Sequence, residues 1–410
     1  MVPIAELVRS VRPYRVVFLI AALAAASVQA GESMDVKPLL ESLRGVGLRG
    51  QGHPAAIAAW PKLAEASVDQ LTEILAGMDG ADILACNWIR AAAETIIQRH
   101  LAGGGKLPVA SLEKFLSETG HSPRARRMAY ELIVRDDPSA PRRLMPGLLN
   151  DPSLELRRDA VAMTLDDAKA LVAGNREEAI AAYRRAWDAS RNVEQAQAAG
   201  VALRELGIAT SLVEHFGFLT DWKLIGPFDN RNDVGFDTAY PPEKELNFDA
   251  KCAGKLGEVQ WSDFRSSDAL GVVDLNEAYG RAKAANGNGY ADTPETLPRF
   301  KGTVAYASTS FTAAEPRDVE IRLGCINGHK VWLNGELIIA NHVFHTGMTV
   351  DQYSGKGKLR AGKNTLLIKV LQNEQSDDWA QNWQFQLRVC DELGTAVLPA
   401  ERSAKSPDKP

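Results

Sequence analysis

One short segment near the C-terminus combines a tryptophan with carboxylates and amides. Residues 375–382 read Gln-Ser-Asp-Asp-Trp-Ala-Gln-Asn and lie outside any regular alternation. Aromatic side chains stack on the apolar face of a sugar ring, while neighbouring carboxylates and amides hydrogen-bond its hydroxyl groups. The segment therefore predicts a ligand-binding loop, with Trp379, Asp377, Asp378, Gln381 and Asn382 as candidate contacts. The alternative is a polar loop in which Trp379 only caps the edge of a sheet.

Two further tryptophans differ in the side of the strand on which they lie. Trp332 alternates with Val331 and Leu333, so it faces either a second layer or the surface, and it is the sixth candidate contact. Trp383 has the same parity as Phe385, which predicts a core position.

Histidines and aspartates suggest two weak metal motifs. His342 and His345 have a His-x-x-His spacing with His329 nearby, but a zinc site needs a third protein ligand and none is apparent. The oxygen ligands of a structural calcium site are present in Asp229, Asp233 and Asp237. Val234, however, lies where a calcium loop needs its turn glycine, so the alternative is a structural turn.

Motifs of the common enzyme classes are absent from the sequence. It contains no Gly-x-Ser-x-Gly elbow, Walker loop, His-Glu-x-x-His or dinucleotide fingerprint, so no catalytic residue or cofactor is predicted. It also lacks Cys-x-x-Cys, which excludes a zinc knuckle, a thioredoxin-type site and a haem attachment site. Of its four cysteines, Cys325 and Cys390 have opposite strand parity, so we predict free thiols there, since a disulfide would need a bulge.

The composition is that of an ordinary globular protein. The chain has 410 residues, of which 45% are hydrophobic, 24% charged and 7% aromatic. These values exclude a largely disordered, collagen-like or polytopic membrane protein, and the length predicts two or three domains. The net charge of -5 comes without a dense block of lysine and arginine, so we expect no nucleic-acid partner.

The first thirty residues have the three parts of a secretory signal. Arg9, Arg12 and Arg15 form a basic stretch, residues 16–26 are apolar, and Ala30 ends a small-residue cleavage site. A membrane-spanning helix needs about 20 apolar residues, and this run is shorter. We predict a cleaved signal peptide and export to the periplasm, cell surface or extracellular space, with membrane attachment only if the segment stays uncleaved.

Residues 35–212 carry helical signals. Ser67 followed by Gln70 predicts a capping box, and Gly77 predicts a helix end. Ser122-Pro123 and Asp151-Pro152 predict two further helix starts, because proline lacks the N–H that is unpaired at that position. The apolar positions of these two helices are Ala125, Met128, Ala129, Leu132 and Ile133 in the first, and Leu156, Ala160 and Met163 in the second.

The helical half resembles two repeat families. Residues 148–161 contain the Asp-Pro turn and the hydrophobic-Arg-x-x-Ala pattern typical of a HEAT repeat. The two proline-marked starts are 29 residues apart, whereas HEAT repeats have a period of roughly 40–47. Residues 178–206 resemble a tetratricopeptide helix pair, with Ala179, Ala182, Tyr183 and Ala186 on one stripe. These resemblances imply stacked helical hairpins that bind a partner protein on a concave surface, or serve as a structural spacer.

The pattern changes from helical to alternating near Trp222. Alternation predicts strands with one buried face, and Asn334-Gly335 is the strongest hairpin turn. Short strands bounded by turns favour a sandwich or jelly roll, and residues 283–293 are predicted to form a loop. The predicted strands are residues 222–225, 259–264, 271–274, 319–323, 330–333, 337–339, 365–370 and 383–389.

Three motifs of the sheet half follow one another in a recognisable order. A strand ends in Gly324, a hydrophobic-Trp-hydrophobic-Asn-Gly hairpin covers residues 331–335, and a Leu-x-x-Gly-x-Asn turn covers residues 359–364. Over residues 306–392 this order resembles the sugar-binding jelly roll of glycoside hydrolase family 2. The resemblance implies a galactose-binding-like β-sandwich, which in many hydrolases is an accessory domain without catalytic carboxylates.

A further motif precedes this region. Residues 226–230 read Gly-Pro-Phe-Asp-Asn, and residues 240–243 read Tyr-Pro-Pro-Glu. Together they resemble a module of exported planctomycete-type proteins, in which it often follows helical repeats and leads into such a jelly roll. The resemblance implies a location and a fold rather than a ligand.

These patterns predict a multidomain α + β protein, with an N-terminal array of HEAT- or tetratricopeptide-like helical hairpins and a C-terminal antiparallel β-sandwich. The predicted boundaries are a signal peptide at 1–30, a helical region at 31–121, repeats at 122–212, the sandwich at 213–398 and a disordered tail at 399–410.

Three functions fit this architecture. The first is non-catalytic binding of carbohydrate or a cell-surface ligand by the sandwich. The second is assembly of cell-envelope proteins on the helical array. The third is an accessory part of a carbohydrate-active hydrolase, or such a hydrolase itself. A hydrolase would need paired carboxylates and raised pKa values in a cleft between the halves.

Overall fold

The structure is a computed structural model that describes residues 34–285 and 289–400. By its internal contacts the chain forms two compact units, one ending at Lys106 and one beginning at Leu107. The predicted signal peptide lies outside the described residues, as does the predicted tail from residue 401 onwards. In the two described ranges, no helix is both long enough and apolar enough to span a membrane.

The first unit is helical throughout its described residues. Its helices are α1 (Lys37–Arg44), α2 (His53–Leu63), α3 (Leu71–Ala76) and α4 (Ile83–Ala102). The predicted capping box is wrong in its details, because a short 3₁₀ turn precedes α3. Ser67 accepts a hydrogen bond from the N–H of Asp69, and Gln70 Nε2 donates to Met34 O at 2.6 Å instead of reaching back to Ser67.

Helices also form the first part of the second unit. They are α5 (Val109–Ser117), α6 (Pro123–Asp136), α7 (Ala140–Leu144), α8 (Leu154–Leu171), α9 (Arg176–Ala189), α10 (Val193–Glu205) and α11 (Leu212–Phe216). Proline opens α6 at the predicted position, and the predicted stripe of α6 is buried. The N-cap of α8 is Ser153. Asp151 instead accepts two hydrogen bonds from the buried guanidinium of Arg126 and so links α6 to the start of α8.

Twelve strands follow in the described residues, together with α12 (Pro241–Lys244) and α13 (Leu275–Ala278). The strands are β1 (Asp221–Asp229), β2 (Lys251–Gly254), β3 (Gly257–Gln260), β4 (Ser262–Arg265), β5 (Val273–Asp274), β6 (Thr303–Ala313), β7 (Arg317–Cys325), β8 (His329–Leu333), β9 (Glu336–Asn341), β10 (Tyr353–Leu359), β11 (Gly362–Gln372) and β12 (Gln384–Cys390). Their pairing is antiparallel. The chain is therefore a multidomain α + β protein, as the sequence predicts.

The strands form a large sheet, a smaller sheet and a hairpin. The large sheet has the order β4-β1-β6-β11-β8-β9, the smaller sheet has the order β10-β7-β12-β5, and β2 pairs with β3. One apolar cluster joins inward-facing residues of both sheets, including Trp383 and Phe385 at the predicted core positions. A second cluster, with Phe228 and Tyr306, lies on the outer face of the large sheet beneath the segment between β1 and β4.

The strands β2, β6 and β10 were missed in the sequence, and one predicted strand is in fact two. The central strand β6 is buried on both faces from Thr303 to Ser308, so this part of its sequence does not alternate. Strand β10 contains Gly355, whose added Cβ would lie 2.6 Å from Ile338 O, so glycine is required by a close approach of the backbone. The predicted strand at 259–264 is divided at Trp261 into β3 and β4, which belong to different sheets.

Within the second unit, the helices contact the sandwich directly. The buried Arg388 of β12 donates to Phe216 O of α11 at 3.3 Å. Arg191, which follows α9, donates to Thr395 Oγ1 at 3.2 Å. Residues on both sides of the predicted boundary at residue 213 therefore belong to one compact unit.

The four cysteines are buried, and none of them forms a disulfide bond among the described residues. Cys325 lies in the sandwich core. Cys390 Sγ lies 3.7 Å from Glu320 O, to which it donates. The predicted free thiols at these two positions are confirmed.

Candidate functional site

The predicted ligand-binding loop presents its tryptophan to solvent. Trp379 is 62% exposed and lies in a one-turn helix, Asp378–Ala380, between β11 and β12. Its ring contacts the ring of His345 edge-on, with 5.1 Å between the ring centroids. Asp377, Asp378 and Asn382 are also exposed around it. The face of the indole is thus available for stacking, with polar groups beside it.

The backbone beneath Trp379 is held by buried side chains. Three consecutive carbonyls of the loop accept hydrogen bonds from side chains outside the loop. The carbonyls are those of Ala380, Gln381 and Asn382, and the donors are Asn276, Arg281, Lys301, Asn327 and Gln372. Each of these five donors is buried. A loop fixed at three carbonyls loses little conformational freedom when a ligand binds, so its exposed side chain is preorganised.

Lys301 is the closest of these supports. Its Nζ donates to Ala380 O at 2.7 Å from a buried position. Burial lowers the pKa of Lys301 to about 8, and the nearby charge of Arg281 acts in the same direction.

Arg281 connects the loop to the segment that follows α13. Its guanidinium lies over Tyr290 at 4.0 Å from the ring centroid and donates to both carboxylate oxygens of Asp292. The same group donates to Oε1 of Gln381. Gln381 Nε2 in turn donates to Ser376 O at 2.6 Å and to Asp377 O at 2.8 Å. Both ends of the Gln381 amide are used inside the protein, so this predicted ligand contact shapes the loop.

Trp332 lies in a different environment from Trp379. It is half-buried in the apolar cluster on the outer face of the large sheet, opposite Leu367 of β11. Of the two orientations that parity allowed, Trp332 adopts the one that faces a second layer. The structure thus groups five of the six candidate contacts in one loop and places Trp332 in a packed layer.

The histidines bind partners within the protein. His342 Nε2 lies 2.6 Å from Asp233 Oδ2, and its ring stacks on Phe236. His345 Nε2 lies 3.1 Å from Asn373 Oδ1. Burial lowers the pKa of His345, so its ring is neutral at neutral pH beneath Trp379.

Two of the three aspartates considered for calcium are engaged elsewhere. Asp229 pairs with Arg231 at 2.7 Å, and Asp233 pairs with His342. Across residues 34–285 and 289–400, no three His, Cys, Asp or Glu side chains are grouped so as to hold a metal ion.

The supports of the loop were missed in the sequence, although one of them left a signal. Gln372 continues the parity of Leu366, Ile368 and Val370, which face the sandwich core. A polar side chain at an inward position needs buried partners, and Gln372 donates to Ala380 O and Asn382 O. Arg281 and Lys301 gave no such signal, because they come from irregular segments.

The sequence matches no family model and no curated protein. Among solved structures, a beta-glucosidase from Kluyveromyces marxianus in complex with glucose is 15% identical, with 43% of this chain and 16% of that chain covered and a TM-score of 0.24. A beta-glycosidase from Bacteroides vulgatus is also 15% identical, covering 42% and 20% of the two chains at a TM-score of 0.23. An anti-sigma factor domain-containing protein from Clostridium clariflavum is 12% identical, covering 45% and 46% at a TM-score of 0.24. This chain thus spans less than half the length of each of these proteins.

Proposed function

We propose that this protein is an exported carbohydrate-binding protein, and that the loop at residues 375–382 of its sandwich contacts the sugar. The observation that carries the proposal is an exposed Trp379 on a loop whose carbonyls are fixed by buried donors. Export is supported by the basic, apolar and small-residue order of residues 1–30.

Exposure of a large aromatic side chain leaves apolar area in water. Burying such a side chain is favourable by about 1.5–3 kcal/mol, so a ligand that covers the ring gains binding free energy of this order. Because the loop backbone is already ordered, little of this energy is lost to ordering on binding. Rigid exposed aromatic residues are accordingly the anchors of many binding sites.

The polar groups around Trp379 suit a neutral sugar. The exposed carboxylates of Asp377 and Asp378 accept hydrogen bonds from hydroxyl groups, and the amide of Asn382 both donates and accepts. The indole face takes the apolar face of the ring. The two carboxylates also disfavour anionic ligands at this loop.

The test is a glycan array with the chain that remains after removal of the predicted signal peptide. We expect binding to neutral glycans that is lost in Trp379→Ala. The matched control is Phe248→Ala, which removes the other exposed aromatic side chain of the described residues and should leave neutral-glycan binding unchanged. Both variants should have the melting temperature of the wild type, which would show that their fold is intact. Equal binding by the wild type and Trp379→Ala would contradict the proposal.

A further inference from the structure

The outer face of the large sheet is covered over only part of its area. The segment between β1 and β4 packs on residues such as Phe228 and Leu371. Towards the N-terminal end of β1 the face is open, and it forms a groove with a volume of about 870 Å³. A volume of this size is in the range of small-molecule and cofactor sites, which is roughly 300–1,000 Å³.

The floor of this groove is lined by hydroxyl groups. Ser310 of β6 and Thr365 of β11 lie opposite each other in the strand pairing. Ser308 lies two positions before Ser310 on the same face, but it is buried and donates its hydroxyl to Leu366 O at 3.0 Å. Residues at alternate positions face the same side of a sheet, so these hydroxyls form a row across two neighbouring strands. Hydroxyl groups both donate and accept hydrogen bonds, as does a ligand that is itself rich in hydroxyls.

One wall of the groove is aromatic. Phe248 is 36% exposed and contacts Trp261 edge-to-face at 5.1 Å between ring centroids. Lys223 Nζ lies 5.8 Å from the centre of the Phe248 ring. The exposed ring is thus held from two sides, and a ligand finds one apolar surface beside the hydroxyl floor.

Two of the three basic side chains that line the groove are paired with carboxylates. Lys223 pairs with Asp263 at 2.6 Å, and Arg265 pairs with Asp221. Lys363 of β11 is exposed in the lining, and no carboxylate of the described residues pairs with it. Strand β6 lies between β1, which carries Lys223, and β11, which carries Lys363. The backbones of β1 and β11 are therefore about 10 Å apart.

We propose that this groove binds an acidic oligosaccharide. A sugar face packs on Phe248, the ring hydroxyls bond to Ser310 and Thr365, and a carboxylate of the sugar pairs with Lys363. The site is separate from the loop around Trp379, where two exposed carboxylates disfavour an anionic ligand. The proposal therefore does not depend on the function proposed for that loop.

The test is calorimetric titration of the full chain with hexagalacturonate, compared with maltohexaose as a neutral hexasaccharide. We expect hexagalacturonate to bind, and Lys363→Gln and Phe248→Ala each to weaken it by about tenfold or more, as loss of a charged hydrogen bond or an aromatic anchor does. Affinity should also fall with added salt, because the pairing with Lys363 is exposed.

Two variants serve as controls. Lys356→Gln removes an exposed lysine from β10 of the smaller sheet and should bind as tightly as the wild type. Trp379→Ala should also bind hexagalacturonate unchanged, whatever it does to neutral glycans.

Several results would overturn the proposal. They are no binding of hexagalacturonate, equal affinity for maltohexaose, unchanged binding by both groove variants, and an equal loss in Lys356→Gln, which indicates attraction by overall charge. Loss in Trp379→Ala alone would place the acidic ligand at the other site and would also contradict the assignment to this groove.

Discussion

Lys369 Nζ of β11 lies 2.7 Å from Glu243 Oε1, which is 126 residues earlier in the chain. Glu243 is the acid of the Tyr-Pro-Pro-Glu motif, and Lys369 is fully buried on the outer face of the large sheet. Tyr306 of β6 donates its hydroxyl to the same carboxylate. The motif thus supplies the counter-ion for a buried lysine in the sheet. This ion pair anchors the segment between β1 and β4 on the sheet.

Replacing Glu243 by glutamine leaves Lys369 buried without an opposite charge. We expect Glu243→Gln to lower the free energy of unfolding by about 3 kcal/mol, because breaking a buried ion pair on one side strands the other charge. Urea unfolding monitored by tryptophan fluorescence measures the change. Glu245→Gln, two residues later and exposed, should change stability by less than about 0.5 kcal/mol.

The double variant Glu243→Gln with Lys369→Met removes the stranded charge. It should be more stable than Glu243→Gln alone. If the double variant and Glu243→Gln unfold at the same urea concentration, the ion pair does not anchor the segment.

Asp351 should make the protein sensitive to acid. Burial alone would raise the pKa of Asp351, but hydrogen bonds and charges from Arg388 and Arg322 lower it below its usual value. The carboxylate therefore stabilises the folded protein above the unfolded pKa of about 3.9, and this contribution is lost as the pH falls through the folded pKa. We expect Asp351→Asn to cost about 2 kcal/mol at pH 7 and progressively less as the pH falls below about 3.9.

Urea unfolding at a series of pH values tests this expectation, with Asp318→Asn on the exposed face of β7 as the control. A constant difference between the wild type and Asp351→Asn across the acid range would contradict it.

Lys301 predicts a further gain of stability with rising pH, at alkaline instead of acidic pH. Its folded pKa of about 8 lies below the unfolded value, so the unfolded chain binds more protons between these two values. Raising the pH through this window therefore stabilises the wild type relative to Lys301→Met, by about 2–3 kcal/mol in total. Unfolding at pH 7 and at pH 10 measures the difference. Lys356→Met, at an exposed position, should show no such change with pH.

The contacts between helices and sandwich predict how fragments behave. A chain of residues 107–400 should unfold in one cooperative transition, because it forms one compact unit. A chain of residues 213–400 begins at the boundary that the sequence predicts. It exposes Phe216 and Phe218, which otherwise pack against Trp187 and Val193, and should melt at a lower temperature or aggregate. Equal melting temperatures would support the predicted boundary instead.

The periodicity of apolar residues predicted those helices and strands that bury one face against a core. The stripe of α6 from Ala125 to Ile133 and the parity of Trp383 are both buried as predicted, because one-sided burial imposes its period on the sequence. Strand β6 escaped prediction because both faces of its first six residues are covered, which removes the alternation there. The same reasoning explains why parity left two orientations open for Trp332.

The exposed part of the candidate site was predicted from local sequence, and its support was not. Trp379 and its acidic neighbours stand out as residues outside the strand pattern. Their carbonyl-binding partners come from positions as far away as Asn276, 105 residues before Gln381. Contacts at such distances leave no periodic trace, so only the inward parity of Gln372 pointed to them.

The most direct test of the account is a calorimetric titration of the tightest neutral glycan from the array into the wild type, Trp379→Ala and Trp332→Phe. An aromatic anchor contributes about 2 kcal/mol, so Trp379→Ala should weaken binding by about thirtyfold. Trp332→Phe, in the packed layer of the large sheet, should bind within about twofold of the wild type. Wild-type affinity in Trp379→Ala would contradict the account, because the preorganised loop would then not be the sugar site.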